Sequence, residues 1–254
     1  MCACSANKDE ARQAVWDALV ESGVARFPFP PHGRIPNFAG AKQAAERLLA
    51  HPLFDHVKRI KVNPDAPQRH IRLQALKRGI TVFVPTPRLR GGFKRFDPMT
   101  IPVDKLQEAA SLSKGDRWAE PVALQDLPAV ELIVTGSVAV TRRGHRCGKG
   151  HGYGDLEYAM FRELGYPPVP VATTVHALQV LDGLPVSEHD LPLRIIATPE
   201  ELIEVPDPPT GPSGIHWDLL TEEALDEMPI LKALRPKNRA KCSDLLSPEQ
   251  RSRD

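Results

Sequence analysis

Residues Arg142 to Glu157 read RRGHRCGKGHGYGDLE. Four glycines, Gly148, Gly150, Gly152 and Gly154, alternate through this run, with Lys149 inside it and Asp155 closing it. The strand-like SVAVT (Ser137 to Thr141) leads in, and a helical pattern over 155–164, with Leu156, Met160 and Leu164 in register, leads out. Strand, glycine turn and helix in succession form the repeating unit of α/β proteins. The pattern extends in both directions. Helix-period segments fall at 8–22, 41–50, 68–78 and 104–112, and strand-like runs at 57–62, 80–85, 129–136, 169–175, 193–197 and 202–205. This alternation predicts an α/β fold with a mostly parallel sheet. The continuous apolar runs VFV (82–84) and LIV (132–134) suit strands covered on both faces.

Alternating glycines let backbone N–H groups converge on a ligand, because no Cβ blocks the approach. A helix N-terminus directly behind them adds a positive dipole end, and Arg146 and Lys149 add full charge. The combination suits a polyphosphate or another anion. Neither familiar phosphate motif fits. A Walker A loop needs four residues between its glycines and a hydroxyl after the lysine, whereas Gly144 to Gly150 gives G-x-x-x-G-K-G. The G-x-G-x-x-G fingerprint meets Tyr153 when counted from Gly148 and Asp155 when counted from Gly150. The plain alternative is a tight strand-to-helix connection.

The chain has 254 residues, 41% hydrophobic and 26% charged, with a formal net charge of +1. That composition is ordinary for a globular protein and gives no basis for a nucleic-acid or membrane partner. No apolar run approaches the roughly 18 residues of a membrane span, and the N-terminus lacks a signal-peptide core, so a cytoplasmic location is expected. Residues 1–236 read as one α/β domain, and the polar stretch 237–254 as a disordered tail. The scattered Cys2, Cys4, Cys147 and Cys242 suit reduced thiols, and His145, Cys147 and His151 match no structural zinc spacing. Twenty-six prolines cluster at FPFPP (Phe27 to Pro31), 85–87, 167–170 and 205–212 and predict stiff, extended connections.

Several of these segments together resemble a known family. GKGHGYGDLEYA (148–159) is similar to the G-x-G-x-G-Y-Y-D-R motif of 5-formyltetrahydrofolate cyclo-ligases (methenyltetrahydrofolate synthetases). Gly148, Gly150, Gly152, Tyr153 and Asp155 match it, while Gly154 and Leu156 stand where the family has tyrosine and arginine. The likeness is closer to a cyclo-ligase-like branch, similar to methenyltetrahydrofolate synthetase domain-containing proteins, whose G-K-G-x-G-Y-x-D-L-E runs through Gly148 to Glu157. RIPNFAGAKQAAERL (34–48), NPDAPQ (63–68), PTPRL (85–89) and Lys8-x-x-x-Arg12 also look like this branch, over roughly residues 8–234.

The resemblance implies a three-layer α/β/α fold of the NagB/RpiA/CoA-transferase type and a reaction that uses ATP and Mg²⁺. ATP phosphorylates the formyl oxygen of 5-formyltetrahydrofolate, and ring closure then expels phosphate. It implies catalytic roles for Lys149 and Asp155, with Asp155 at the Mg²⁺. ATP would be held by Lys8, Arg12, Arg146, Gly148, Lys149, Gly150, His151, Gly152, Tyr153 and Gly154. Arg34, Asn37, Lys42 and Arg88 would take the anionic end of the substrate. Taken alone, Lys8 and Arg12 also read as a solvated helix face, Asp155 as a helix N-cap, and Tyr153 as a ring-stacking residue or a wedge at the helix start. His151 stands where the branch often carries an acid. A monomer or homodimer acting on a small molecule is expected. Two other functions stay open: an ATP-dependent enzyme acting on another heterocycle, such as one of thiamine salvage, and a non-catalytic nucleotide- or RNA-binding scaffold.

Overall fold

The computed structural model describes residues 7–111 and 113–234. The proposed tail at 237–254 and Cys2, Cys4 and Cys242 lie outside the described residues.

Helix α1 (Lys8–Glu21) is capped by Asn7, whose side chain accepts from the Glu10 amide. After it, strands β1 (Ala25–Arg26) and β2 (Asn37–Phe38) pair antiparallel around the proline-rich loop. There follow α2 (Ala41–Leu49), β3 (Arg59–Val62), α3 (Arg69–Lys77), β4 (Thr81–Pro85), β5 (Phe93–Phe96), α4 (Leu106–Ala109), β6 (Glu120–Val122) and β7 (Leu132–Thr135). The chain continues through β8 (Ala139–Thr141), β9 (Arg146–Cys147), α5 (Tyr153–Glu163), β10 (Val171–Thr174), β11 (Val180–Leu181), β12 (Ile195–Ala197) and β13 (Leu202–Glu204). It ends in α6 (Glu222–Glu227) and α7 (Pro229–Leu234).

Eight strands form the central sheet in the order β13-β12-β10-β7-β3-β4-β5-β6. The inner five, β12, β10, β7, β3 and β4, are parallel, and antiparallel strands close both edges. Alternation along β7 shows the layering. Leu132 and Val134 enter the core beneath α2 and α3, with Leu48, Ile71 and Leu76, while Ile133 enters the core beneath α5, with Tyr158, Met160 and Phe161. Both faces are therefore covered, as the unbroken apolar runs predict. The result is the expected three-layer α/β/α arrangement with a mostly parallel sheet.

Three differences from the sequence reading have local causes. SVAVT does not lead straight into the glycine run. Its β8 pairs with β9 and β11 in a separate three-stranded sheet, and the chain turns back at 142–145 before the glycines begin. The helix expected over 104–112 is a single turn of α-helix, Leu106–Ala109, behind a 3₁₀ turn; Leu112 lies outside the described residues. Strands β5 and β6 were not expected, because FKRF carries charge at its centre and EPV contains a proline. The proline is tolerated because β6 is the sheet's edge strand, and the charged centre of β5, next to that edge, is only partly buried.

Candidate functional site

In the parallel part of the sheet the chain runs β3, then β4 on one side, and then returns to β7 on the other. Such a reversal opens a crevice at the C-terminal ends of the two flanking strands, which is where α/β folds bind ligands. A cavity of about 570 Å³ lies there. Its walls include Asn63 and Asp65 after β3, Pro85 to Leu89 after β4, Gly136 after β7, and the glycine run with the first turn of α5. The volume is in the range of small-molecule sites.

The glycine run is shaped from below by Arg146, which is only 5% exposed. Its Nε and Nη2 donate to the Gly136 carbonyl at 3.0 and 2.8 Å, and its Nη1 pairs with Asp155 at 3.2 Å. A Cβ on either Gly148 or Gly154 would stand 2.9 Å from its Nη2, so both positions must be glycine for the guanidinium to lie there. Gly150 and Gly152 have φ of 106° and 67°, conformations that L side chains rarely adopt. Gly152 is also the residue from which α5 starts. Two of the alternating glycines thus make room for an arginine, and two turn the chain. Arg146 lines the cavity, but its charge is committed to the loop and to Asp155, which corrects its expected role as a free phosphate-binding cation.

The same geometry corrects the N-cap reading of Asp155. This residue is the third of α5. Its Oδ1 accepts from Arg146 and from the Leu191 amide at 3.1 Å. Lys149, by contrast, makes no hydrogen bond or ion pair among the described residues and lines the cavity, where its charge acts on Asp65. His151, Gly152, Tyr153 and Gly154 line the cavity too, with the rings of His151 and Tyr153 packed edge to face at 5.8 Å. Arg34 and Arg88 line the mouth. Arg88 and the buried Leu89 both have φ of 53°, a strained conformation for these residues that holds the loop after β4 against the site.

The remaining expected residues lie elsewhere. Lys8 pairs with Asp190 at 2.6 Å and also reaches Ser187. Arg12 donates from Nε to the Gly148 carbonyl at 2.7 Å and lies beside Gly150. Arg12 braces the glycine run, Lys8 ties α1 to the segment at 187–190, and neither lines the cavity. Asn37 donates to the Phe27 carbonyl within the proline-rich turn, and Lys42 pairs with Glu46. These two line a separate depression with Arg69 and His70, so the structure does not bring them to the site.

What the sequence reading missed is the inner end of the cavity. Lys61, in the middle of β3, is fully buried and bonds Glu157 of α5; its Nζ also reaches Asn63 Oδ1 at 2.8 Å. Asn63 Nδ2 donates to Glu157 at 3.1 Å. Arg72 of α3 holds the Asn63 and Asp65 carbonyls. Burial pushes the Glu157 and Asp65 carboxyls above the usual range and the Lys61 ammonium below its own. In Asp65 the pull of Lys149, Arg72 and Arg146 opposes that rise. The available signal was the lysine inside the strand RIKV, followed by NPD.

Among the described residues no three His, Cys, Asp or Glu side chains stand together as a metal cluster. Mg²⁺ in phosphoryl-transfer sites usually takes one or two carboxylates plus phosphate oxygens. Asp155, at the end of the glycine run and lining the cavity, would fit a metal that enters with a phosphate ligand. No helix of the described residues is long and apolar enough to cross a membrane.

Fold and site define an α/β protein with a glycine-rich loop at a topological switch point. The chain belongs to the 5-formyltetrahydrofolate cyclo-ligase family, whose model matches residues 5–199. It is 41% identical over 246 residues to a mouse (Mus musculus) methenyltetrahydrofolate synthase domain-containing protein, covering 94% of this chain and 66% of the relative. To the human (Homo sapiens) protein of the same name it is 36% identical over 250 residues, covering 96% and 65%. The chain thus spans just under two thirds of the length of these relatives. The NMR structure of Aquifex aeolicus 5,10-methenyltetrahydrofolate synthetase shares the fold, with a TM-score of 0.50 at 18% identity over 83% of this chain and 98% of that one.

Proposed function

We propose that this chain catalyses the ATP- and Mg²⁺-dependent conversion of 5-formyltetrahydrofolate to 5,10-methenyltetrahydrofolate. The observation that carries the reading is the unpaired Lys149 beside the glycine run and the α5 N-terminus, facing a cavity large enough for a ring system. Phosphoryl transfer is achieved mainly by positioning and charge neutralisation, and these groups supply both. The loop amides and Lys149 would hold the β- and γ-phosphates, with the γ-phosphorus facing the inner cavity. The formyl oxygen attacks that phosphorus and ADP leaves. The N10 nitrogen then attacks the activated formyl carbon, its proton passes to the departing phosphate, and the C–O bond breaks with release of phosphate. Arg146 keeps the loop open by holding the Gly136 carbonyl and Asp155 at once. Mg²⁺, when bound, would neutralise phosphate charge, with Asp155 as the chain's contribution to its shell. Arg34 and Arg88 at the mouth suit the carboxylates of a folate tail.

The test is a direct assay of the purified chain with ATP, Mg²⁺ and 5-formyltetrahydrofolate, following methenyltetrahydrofolate absorbance. Turnover that needs both ATP and Mg²⁺ is expected. No turnover in a protein that binds ATP would overturn the folate assignment and turn the search to other heterocycles. Absence of ATP binding would overturn the catalytic reading altogether.

A further inference from the structure

Four carboxyl groups line the cavity, those of Asp65, Asp116, Asp155 and Glu157. Three are paired, Asp116 with Lys94, Asp155 with Arg146 and Glu157 with Lys61. The Asp65 carboxylate accepts no hydrogen bond and forms no ion pair among the described residues. Asp65 stands directly before the 3₁₀ turn Ala66–Gln68, where an aspartate ordinarily caps the turn with its side chain. That bond is not made. The main chain is nonetheless fixed, since the Asp65 carbonyl accepts from Arg72 Nη1 and from the Gln68 amide, both at 3.2 Å. The carboxylate turns toward Gly136, where an added Cβ would stand 2.7 Å from its Oδ2. Arg146 holds the carbonyl of that same glycine. An anchored, unpaired carboxylate thus faces the cavity beside the groups that shape the glycine run.

Burial raises the proton affinity of Asp65. Lys149 of the glycine run, Arg72 of α3, Arg146 of β9 and Lys61 of β3 oppose that rise, and Glu157 of α5 adds a like charge. A phosphate held at Lys149 would offset the largest of these opposing charges and make the carboxylate a stronger proton acceptor. We infer that Asp65 is a catalytic residue that carries the N10 proton to the departing phosphate. This inference rests on the folate reading of the cavity. Ring closure joins N10 to the activated formyl carbon and leaves N10 with a proton to lose. Asp65 takes that proton, and the N–H electron pair stays on nitrogen. As the C–O bond breaks, its electron pair goes to the phosphate oxygen, and Asp65 passes the proton to that oxygen. The carboxylate ends each turnover ionised, as it began, and no further reactant is needed.

The experiment follows ADP and methenyltetrahydrofolate separately through a single turnover with ATP, Mg²⁺ and 5-formyltetrahydrofolate. Asp65→Asn keeps the shape of the side chain but cannot take the proton. ADP should form in this variant as fast as in the wild-type chain, while methenyltetrahydrofolate formation slows at least about 100-fold, the lower end of what a positioned acid–base group contributes. MgATP affinity should not fall, because the variant removes a negative charge near the phosphates. Equal slowing of ADP and methenyltetrahydrofolate overturns the inference, showing that Asp65 only positions the phosphate, and so does undiminished product formation. The wild-type chain gives a check that needs no variant to fold: in D₂O the step after ADP formation should slow, and an unchanged rate there also overturns the inference. A wild-type chain that binds ATP but makes no methenyltetrahydrofolate overturns the folate reading, and this inference with it.

Discussion

Lys61 interrupts the buried part of its strand and meets Glu157, which is almost wholly buried. Removing one member of such a pair leaves an uncompensated buried charge, which typically costs about 3–5 kcal/mol, whereas replacing both with apolar residues is often neutral or stabilising. Glu157→Leu and Lys61→Met should each lose about that much in urea unfolding, and the double variant should recover most of it. Additive losses in the double variant would show that the two charges do not act as a pair. Lys149 presents the opposite case, a cation with no hydrogen bond or ion pair among the described residues. Lys149→Ala should leave the unfolding midpoint unchanged and weaken ATP binding about 10- to 100-fold, the range of a charge-assisted hydrogen bond of about 1.5–3 kcal/mol. Unchanged ATP affinity by calorimetry would remove Lys149 from the phosphate site. Lys149 was legible because a lysine among alternating glycines has few other uses. Lys61 was not, because a lysine in a short strand ordinarily faces solvent. Arg146 was legible as a cation but not as the loop's internal brace, because only the fold shows that Gly148 and Gly154 make room for it.

At the scale of elements, the helices and parallel strands follow from periodicity, since each buries a defined face. Their ends and the sheet's edges do not. Strand β6 contains Pro121, and β5 carries Lys94 and Arg95 between two phenylalanines. The short turn after β10 shows how a single residue sets an element boundary. His176 caps it, accepting from the Leu178 amide through Nδ1 at 3.2 Å, while its own amide donates to Gln179. Only an imidazole unprotonated at Nδ1 can accept that bond. Burial holds the His176 pKa below its ordinary value, with Glu200 opposing the shift. The native state therefore binds this proton less tightly than the unfolded chain does. The stability His176 supplies is complete above about pH 6.5 and falls away as the pH drops through that value and below. Melting temperature should decline between pH 7.5 and 5.5. His176→Asn keeps an acceptor that does not titrate, and should flatten part of the decline. An unaltered pH profile in that variant would show that the cap does not contribute.

Over the whole molecule, the site's position was set by topology, which local patterns do not reveal. The sequence shows that strands and helices alternate, but not that β3 lies between β4 and β7, and it is this order that opens the crevice. The consequence for stability can be measured. If MgATP binds only the folded chain, ligand at about 100 times its dissociation constant should add about 2.7 kcal/mol. For a domain of this size that corresponds to a rise of about 5–10 °C in melting temperature. A melting temperature insensitive to MgATP would mean that the glycine run does not hold a nucleotide in the folded protein.

The brace on that run has a further consequence in time. Arg12 meets the Gly148 carbonyl across 136 positions of sequence, and Lys8 meets Asp190 across 182. A ribosome adds about 5–20 residues per second, so α1 leaves the exit tunnel on the order of 10 s before the loop it will hold. Throughout that interval the apolar stripe of Ala11, Val15 and Leu19 has only the nearby Ala25 and Ile35 of its cluster, because Val138, Ala139 and Cys147 have not been made. The glycine run is thus completed by contacts with a helix made more than a hundred residues earlier. A nascent chain stalled short of Asp190 would carry all four glycines and still lack the ion pair that ties α1 to the later chain.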